Sequence, residues 1–281
     1  MKHNNIFEVV VCGGGHAGIE AALMLNRFNI RTALVTIDPH AIGRMSCNPA
    51  IGGLAKGQIV KEIDVLGGLM PYATDQSALQ YKILNRSKGK SVWSPRAQVD
   101  KRLYETFVSN TIKNAKHLTV LKGEVVNINI NNNKITGVTL RNKSKIKCSA
   151  TILTCGTFLN GLLHIGQKKI KAGRMGENAA EGITESLLGY GFKTGRLKTG
   201  TPPRLDASTI HWDKMDLAPG DTNPIPFSYR TESFKPKNIP CHTVYTSIEC
   251  KDIIKKNMHK SPMFTGDVSG VGPRYCPSIE D

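Results

Sequence analysis

Two features of this 281-residue chain combine residue types and spacing suited to chemistry: a run of glycines and a cysteine-bearing loop. Gly13-Gly14-Gly15-His16-Ala17-Gly18 fits the pattern G-x-G-x-x-G. In that pattern Gly13 allows a tight turn, Gly15 lets backbone amides approach a pyrophosphate, and Gly18 lets a helix pack closely on a strand. The helix N-terminus then offers aligned N–H groups and partial positive charge to phosphates. Such a run holds a dinucleotide where a strand leads in and a helix leads out. An acid is expected at the end of the following strand, to accept a hydrogen bond from the ribose. Thr36 stands at that strand end and Asp38 comes two residues later, so either Asp38 reaches back or the ribose is held otherwise.

The second feature runs from Gly43 to Gly53 and contains Cys47. Pro49 steers Asn48 away from helical backbone, and Gly52-Gly53 admits left-handed geometry. With Arg44 and Lys56 near in sequence, Cys47 suits a thiolate nucleophile; the alternative is a buried structural thiol. Of the other cysteines, Cys12 and Cys155 sit at strand ends beside glycines and read as packing residues. Lys198 to Arg204 (K-T-G-T-P-P-R) suits either a phosphate or substrate contact or a structured hinge. Lys88, Arg96, Lys101 and Arg102 fit contacts to a nucleic-acid backbone or a solvated basic face. Tyr81 and Trp93 fit stacking on a base or ordinary packing.

These groups need elements to hold them. Phe7 to Cys12 is a β-branched run of the kind found in a parallel strand buried on both faces. An apolar helix follows from about Ala17 to Phe28, then a second strand from Thr32 to Ile37, which completes a βαβ unit. Ile59, Val60, Ile63 and Leu66 recur at helical spacing and Gly67-Gly68 supplies a stop. Another helix is expected over Val99 to Lys113, with Leu103, Phe107 and Ile112 on one side. From about 119 to 148 a period-two pattern predicts a β-meander turning at Asn131 to Asn133. A buried run, Ala150 to Thr154, leads to Cys155-Gly156. Seven prolines between Pro202 and Pro240 mark an inserted part, with a strand over Cys241 to Ile248 and a helix near Asp252 to His259.

Composition sets the outer limits. Hydrophobic residues make up 40% and charged residues 21%, as in a globular chain of about two domains. No apolar run approaches the roughly 20 residues needed to cross a membrane, so a cytoplasmic location is expected. The seven cysteines form no C-x-x-C pair and show no zinc-ligand spacing, so no metal site is expected. The net charge of +16 suits a nucleic-acid partner, although Lys is abundant throughout.

Several blocks, in order and spacing, resemble the MnmG (GidA) family. They are G-G-G-H-A-G-I-E-A-A, M-S-C-N-P-A-I-G-G, K-E-I-D-V-L-G-G-L-M, S-P-R-A-Q-V-D, L-T-C-G-T-F-L-N-G, L-K-T-G-T-P-P-R and G-V-G-P-R-Y-C-P-S-I-E-D. The resemblance covers essentially the whole chain. It implies an α/β fold: a Rossmann-like FAD-binding domain with a β-meander and an inserted α+β subdomain. The boundaries it implies are 1–200 for the FAD-binding domain, 201–268 for the insert on the NADH and substrate side, and 269–281 for the return. It implies an enzyme that, with the GTPase MnmE, adds an aminomethyl or carboxymethylaminomethyl group to carbon five of the wobble uridine of tRNA. The family draws carbon from methylene-tetrahydrofolate and reducing equivalents from NADH through FAD, and works as a homodimer.

Carried onto this sequence, the FAD contacts fall on Gly13, Gly14, Gly15, His16, Ala17, Gly18 and Val125. The family's serine contact aligns with Ala180, which lacks the hydroxyl. The nicotinamide-nucleotide segment falls on Gly272, Pro273, Arg274, Tyr275, Cys276, Pro277, Ser278, Ile279, Glu280 and Asp281. The catalytic cysteines match Cys47 and Cys276. Arg274 beside Cys276 favours a thiolate there, and Pro273 and Pro277 stiffen its turn. Family members run to roughly twice this length, so the resemblance leaves two alternatives open. One is a truncated, non-catalytic nucleotide-binding fragment. The other is a relative of the folate-dependent tRNA uridine methyltransferase. A disulfide reductase would need a second cysteine close to Cys47, and there is none in the sequence nearby.

Overall fold

The computed structural model describes residues 6–45, 47–200, 202–262, 264–268, 270 and 272. They divide into two compact units. The first gathers the described residues up to Gly156 together with Pro219–Cys241; the second gathers Thr157–Ala218 with the described residues from His242 onward.

The first unit opens with the expected βαβ arrangement: β1 (Val9–Cys12), α1 (His16–Arg27) and β2 (Thr32–Thr36). All four β1 residues are buried, because a parallel strand inside a sheet is covered on both faces. α1 turns Gly18, Ile19 and Ala22 inward, a spacing that keeps one face of a helix against the sheet. Next come β3 (Ala50–Gly52), α2 (Gly57–Val65), α3 (Met70–Ser77), β4 (Ala78–Leu84), β5 (Ser94–Val99), α4 (Lys101–Lys113) and β6 (Leu118–Lys122). The meander is β7 (Val125–Asn131), β8 (Lys134–Leu140) and β9 (Lys145–Lys147), and β10 (Ala150–Leu153) closes the run. The nucleotide-type sheet is parallel, in the order β10-β1-β2-β6. A separate antiparallel sheet has the order β3-β5-β4.

Several local expectations change. The period-two stretch beginning at Thr119 contains two structures. Leu118–Lys122 joins the parallel sheet beside β2, and only the residues from Val125 form the meander. Gly123 separates them, its N–H donating to Thr36 O at 2.9 Å. The helix expected from Val99 starts at Lys101, because Val99 still belongs to β5 and Asp100 caps the helix. The Asp100 carboxylate accepts from the N–H groups of Arg102 and Leu103 at 2.9 and 3.1 Å. The buried stripe of α4 is Tyr104, Val108 and Ile112, and Leu103 points to solvent. In α2 the buried residues are Gly57, Val60 and Asp64, whereas Ile59 is exposed.

Asp64 is buried because it has a task. Its carboxylate accepts from Ser228 Oγ at 2.7 Å, Tyr229 N at 2.8 Å and Arg230 Nη2 at 3.1 Å. Asp75, on α3, accepts from Phe227 N, Ser228 N and Thr231 Oγ1 at 2.9, 2.8 and 2.7 Å. Two buried carboxylates thus hold the turn 227–231 and seat Phe227, fully buried, edge-on to Tyr81 at 5.2 Å. The proline-rich stretch containing Phe227, expected in the inserted part, belongs to the first unit, where Phe227 joins the core. Loop composition does not reveal a single aromatic anchor.

The second unit holds a hairpin of β11 (Leu162–Ile165) and β12 (Lys168–Lys171), then α5 (Ile183–Gly189) and β13 (Asp216–Ala218). After β14 (Cys241–Thr243) comes α6 (Ile248–Asn257), capped by Ser247, which accepts from Cys250 N at 3.2 Å. The strand expected over Cys241 to Ile248 is therefore shorter and the helix starts earlier, because the Ser247 cap sets its beginning. Among the described residues no helix is long and apolar enough to cross a membrane.

Candidate functional site

Each glycine of the first turn has its own geometric reason. Gly13 adopts φ +114°, and a Cβ there would lie 2.5 Å from Thr154 O. Its N–H donates to Val35 O at 2.8 Å, which binds the turn to β2. A Cβ on Gly18 would lie 1.9 Å from Gly13 O and 2.7 Å from Thr154 Oγ1, so α1 lies directly against the end of β1. Gly15 differs: a Cβ there would meet nothing within 4 Å. Gly15 is also the N-cap of α1, with no side chain capping the helix and no acid in its first turn. Open space beside Gly15 therefore adjoins a helix N-terminus, where an anionic phosphate is stabilised. His16 and Ala17 begin α1, the His16 ring packing 5.6 Å from Tyr104.

Thr154, after β10, was not singled out from the sequence. Its Oγ1 donates toward Cys12 O at 2.9 Å and Gly13 O at 3.2 Å. The only signal was its place after a buried strand and before Cys155-Gly156. Thr36 ends β2, and its Oγ1 would meet a Cβ on Gly14 at 3.1 Å. Asp38 caps the short turn Pro39–Ala41 through His40 N at 2.9 Å. One Asp38 oxygen is therefore engaged locally, just beyond the strand end.

The Cys47 loop is tied to this turn at its start. Gly43, at φ +76°, donates its N–H to Gly14 O at 3.2 Å, and its α-carbon face packs on Val108. Cys47 lies four positions after Gly43, a reach of at most about 14 Å along the chain. Cys47 itself is exposed. At the loop's far end, Val99 N donates to Pro49 O at 2.8 Å, and Ala50, Ile51 and Gly52 pair with Gln98, Ala97 and Arg96. Arg44 forms a salt bridge with Glu105 at 3.1 Å.

The other described thiols differ from Cys47. Cys12 and Cys148 are buried, and burial pushes both thiols up, helped at Cys12 by Cys155 and Cys148 nearby. Burial likewise raises Cys155, whose Sγ lies 3.8 Å from Cys12 O. These three are protonated packing residues. Tyr81 is buried against Phe227 and Phe234, so it packs and does not present a face to a base. Trp93 is half-buried, its Nε1 donating to Arg86 O at 3.1 Å.

Val125 opens the meander, buried and opposite Leu140. In the second unit Ala180 is buried, and its backbone is used twice: N to Phe158 O and O from Asn160 N, both at 2.8 Å. Gly272 lies beside Lys198, where a Cβ would come 3.3 Å from Lys198 Cε. The K-T-G-T-P-P-R block thus starts beside Gly272. Pro273, Arg274, Tyr275, Cys276, Pro277, Ser278, Ile279, Glu280 and Asp281 lie outside the described residues, so Cys276 is not located. Among the described residues no cluster of His, Cys, Asp and Glu could hold a metal ion.

Comparison with known proteins adds a family, two relatives and two solved structures. A family profile described as "Glucose inhibited division protein A" matches residues 8–281. The protein named tRNA uridine 5-carboxymethylaminomethyl modification enzyme MnmG from Nitratiruptor is 49% identical over 277 residues, covering 98% of this chain and 44% of that one. Its namesake from Aquifex aeolicus is 46% identical over 282 residues, covering 46% of its length. The crystal structure of Aquifex aeolicus GidA superimposes with a TM-score of 0.91 at 46% identity, covering 98% of this chain and 47% of that one. The GidA-related protein from Thermus thermophilus shares the fold, with a TM-score of 0.50 at 19% identity. The chain therefore spans about half the length of the curated relatives it matches.

Proposed function

The chain belongs to the Glucose inhibited division protein A family, and on that premise we propose that it is the nucleotide-binding part of a flavin enzyme that modifies the wobble uridine of tRNA. The observation that carries the reading is the uncapped start of α1 at Gly15, open to a ligand's phosphates between two glycines that tolerate no side chain. Those features fit the pyrophosphate of FAD, with Gly13 to Gly18 cradling it and Val125 as a further contact. Bound FAD would supply the redox chemistry, taking reducing equivalents from NADH, for which the resemblance implies the segment Gly272 to Asp281.

The protein's own residues supply nucleophile and placement. Carbon five of uracil is a poor nucleophile until a group adds to carbon six. A thiolate of Cys47 or Cys276 forms a bond to carbon six and makes the ring enolate-like. Carbon five then forms a bond to the methylene of methylene-tetrahydrofolate as one methylene–nitrogen bond of the folate breaks. Loss of the carbon-five proton expels the thiolate, and ammonium or glycine replaces the remaining folate nitrogen, which leaves as tetrahydrofolate. Exposure of Cys47, on a loop hydrogen-bonded to the glycine turn, supports it as one of the pair. The MnmE GTPase, a homodimeric assembly and a cytoplasmic setting belong to the same proposal.

Two measurements test it. Cys47→Ser and Cys276→Ser should each abolish wobble-uridine modification in cells while the protein still binds FAD. Wild-type modification in either variant removes that cysteine from the mechanism. The purified chain, reconstituted with FAD, should show flavin absorbance; a colourless product would refute FAD binding by this portion.

A further inference from the structure

The antiparallel sheet β3-β5-β4 carries a concentration of positive charge that the fold itself does not use. Between Lys82 and Arg102 there are seven basic residues and one acid, Asp100. Asp100 is occupied as the cap of α4. Arg86 is satisfied by Asp221 at 2.7 Å. Lys82, Lys88, Lys90, Arg96, Lys101 and Arg102 meet no carboxylate within salt-bridge distance among the described residues. Lys82 and Arg96 pair directly opposite one another in the β4–β5 register. Directly opposite residues of an antiparallel pair share one side of the sheet, and like charges there repel. Among the described residues no carboxylate within salt-bridge distance offsets that repulsion, whereas an anion lying across the two strands would reverse its sign.

The same sheet leads to the reactive loop. Arg96 pairs with Gly52 on its other side, and its Cδ lies 3.7 Å from where a Cβ on Gly53 would be. Val99 holds Pro49, two residues after Cys47, by the 2.8 Å hydrogen bond. From Ser94 to Val99, β5 extends about 17 Å at the usual strand rise. It links the exposed hairpin loop of Lys88 and Lys90 to the foot of α4, where Lys101 and Arg102 begin beside the Cys47 loop.

We propose that this strip, running from Lys88 and Lys90 through the opposed pair Lys82 and Arg96 to Lys101 and Arg102, is a track for the phosphodiester backbone of RNA. It delivers a nucleotide to the Cys47 loop. The proposal rests on the tRNA-substrate reading above and adds where the RNA lies. Each cation that neutralises a phosphate releases counterions, so binding on the track falls steeply with salt.

The test is fluorescence anisotropy of a labelled anticodon stem-loop RNA with the 281-residue chain over a salt series. Lys82→Gln with Arg96→Gln should weaken binding about tenfold and make the salt dependence shallower by about 1.4, at about 0.7 for each lost single-strand phosphate contact. Lys88→Gln with Lys90→Gln, on an exposed loop where folding is not at risk, should also weaken it. Lys145→Gln with Lys147→Gln removes the same charge from exposed positions on β9 and should leave affinity within about twofold. Removing the opposed pair should not lower the melting temperature, because it removes a repulsion. Equal weakening by all three double variants, or no binding by the unaltered chain, overturns the track. If track variants bind RNA normally while Cys47→Ser still abolishes modification, the track fails and the enzyme reading stands. If binding maps to the track but Cys47→Ser modifies normally, the track stands and the mechanism fails.

Discussion

Gly15 and Gly18 belong to one motif but do different work, and substitution separates the two. A methyl on Gly18 meets backbone oxygen of Gly13, which has no flexible end to move aside. Gly18→Ala should therefore destabilise by about 1–3 kcal/mol, as overpacking of a tight site does, visible as a lower melting temperature. Gly15→Ala adds its methyl in open space on ordinary backbone at φ −77°. Its stability should change by less than about 0.5 kcal/mol, while FAD binding is lost because the methyl stands where phosphates approach. Melting followed by flavin titration checks both, and retained FAD affinity in Gly15→Ala would count against the cradle. Among the cysteines, burial already separates Cys47 from Cys12, Cys148 and Cys155. Only Cys47 should react promptly with a thiol reagent among these four in the native protein, as measured by labelling and mass mapping.

Elements depend on the two carboxylates that hold the turn 227–231. At Asp64 desolvation works against the charge, yet the hydrogen bonds from Ser228, Tyr229 N and Arg230 outweigh it and hold the carboxyl below its usual range. Its contribution to stability is therefore present above the ordinary carboxylate range and is lost as pH falls through the lowered value. Asp64→Ala should cost about 1–3 kcal/mol for each buried donor left unmatched at neutral pH. The gap between variant and unaltered protein should close in strong acid, as measured by denaturant unfolding at two pH values. At Asp75 desolvation dominates the bonds from Thr231, Ser228 N and Phe227 N and pushes the carboxyl up. Its sign is the reverse: the stability linked to its proton is present in acid and lost as pH rises through the raised value.

Across the whole molecule the first unit is discontinuous in sequence. Phe227 lies far along the chain from β1 yet is fully buried in the same core cluster as Val11 and Leu34. Phe227→Ala should cost about 3–5 kcal/mol, and the loss should appear in the unfolding of the first unit, read by hydrogen exchange of β4 and β5 amides. Charge is also uneven at this scale. The first unit holds 24 of the 38 basic residues and 11 of the 22 acids, so most of the net +16 lies there. The second unit, with 14 basic residues against 11 acids, is close to balance. The sheet with the opposed Lys82 and Arg96 belongs to the charged unit.

The residue pattern alone determined the strand, glycine turn and helix from Val9 to Arg27, and the blocks by which the chain joins its family. Those features are set by neighbours within a few positions: β-branched runs, glycine conformations and helical spacing act locally. It also marked Cys47 as a residue for chemistry, without deciding between a reactive and a buried thiol. The tertiary structure decided that Cys47 is exposed and Tyr81 buried, that Leu118–Lys122 joins the parallel sheet, and that 219–241 returns to the first unit. It also decided that Lys82 faces Arg96. Burial and strand register arise from pairings between segments tens to hundreds of positions apart, and no local periodicity encodes which distant partner a residue will meet.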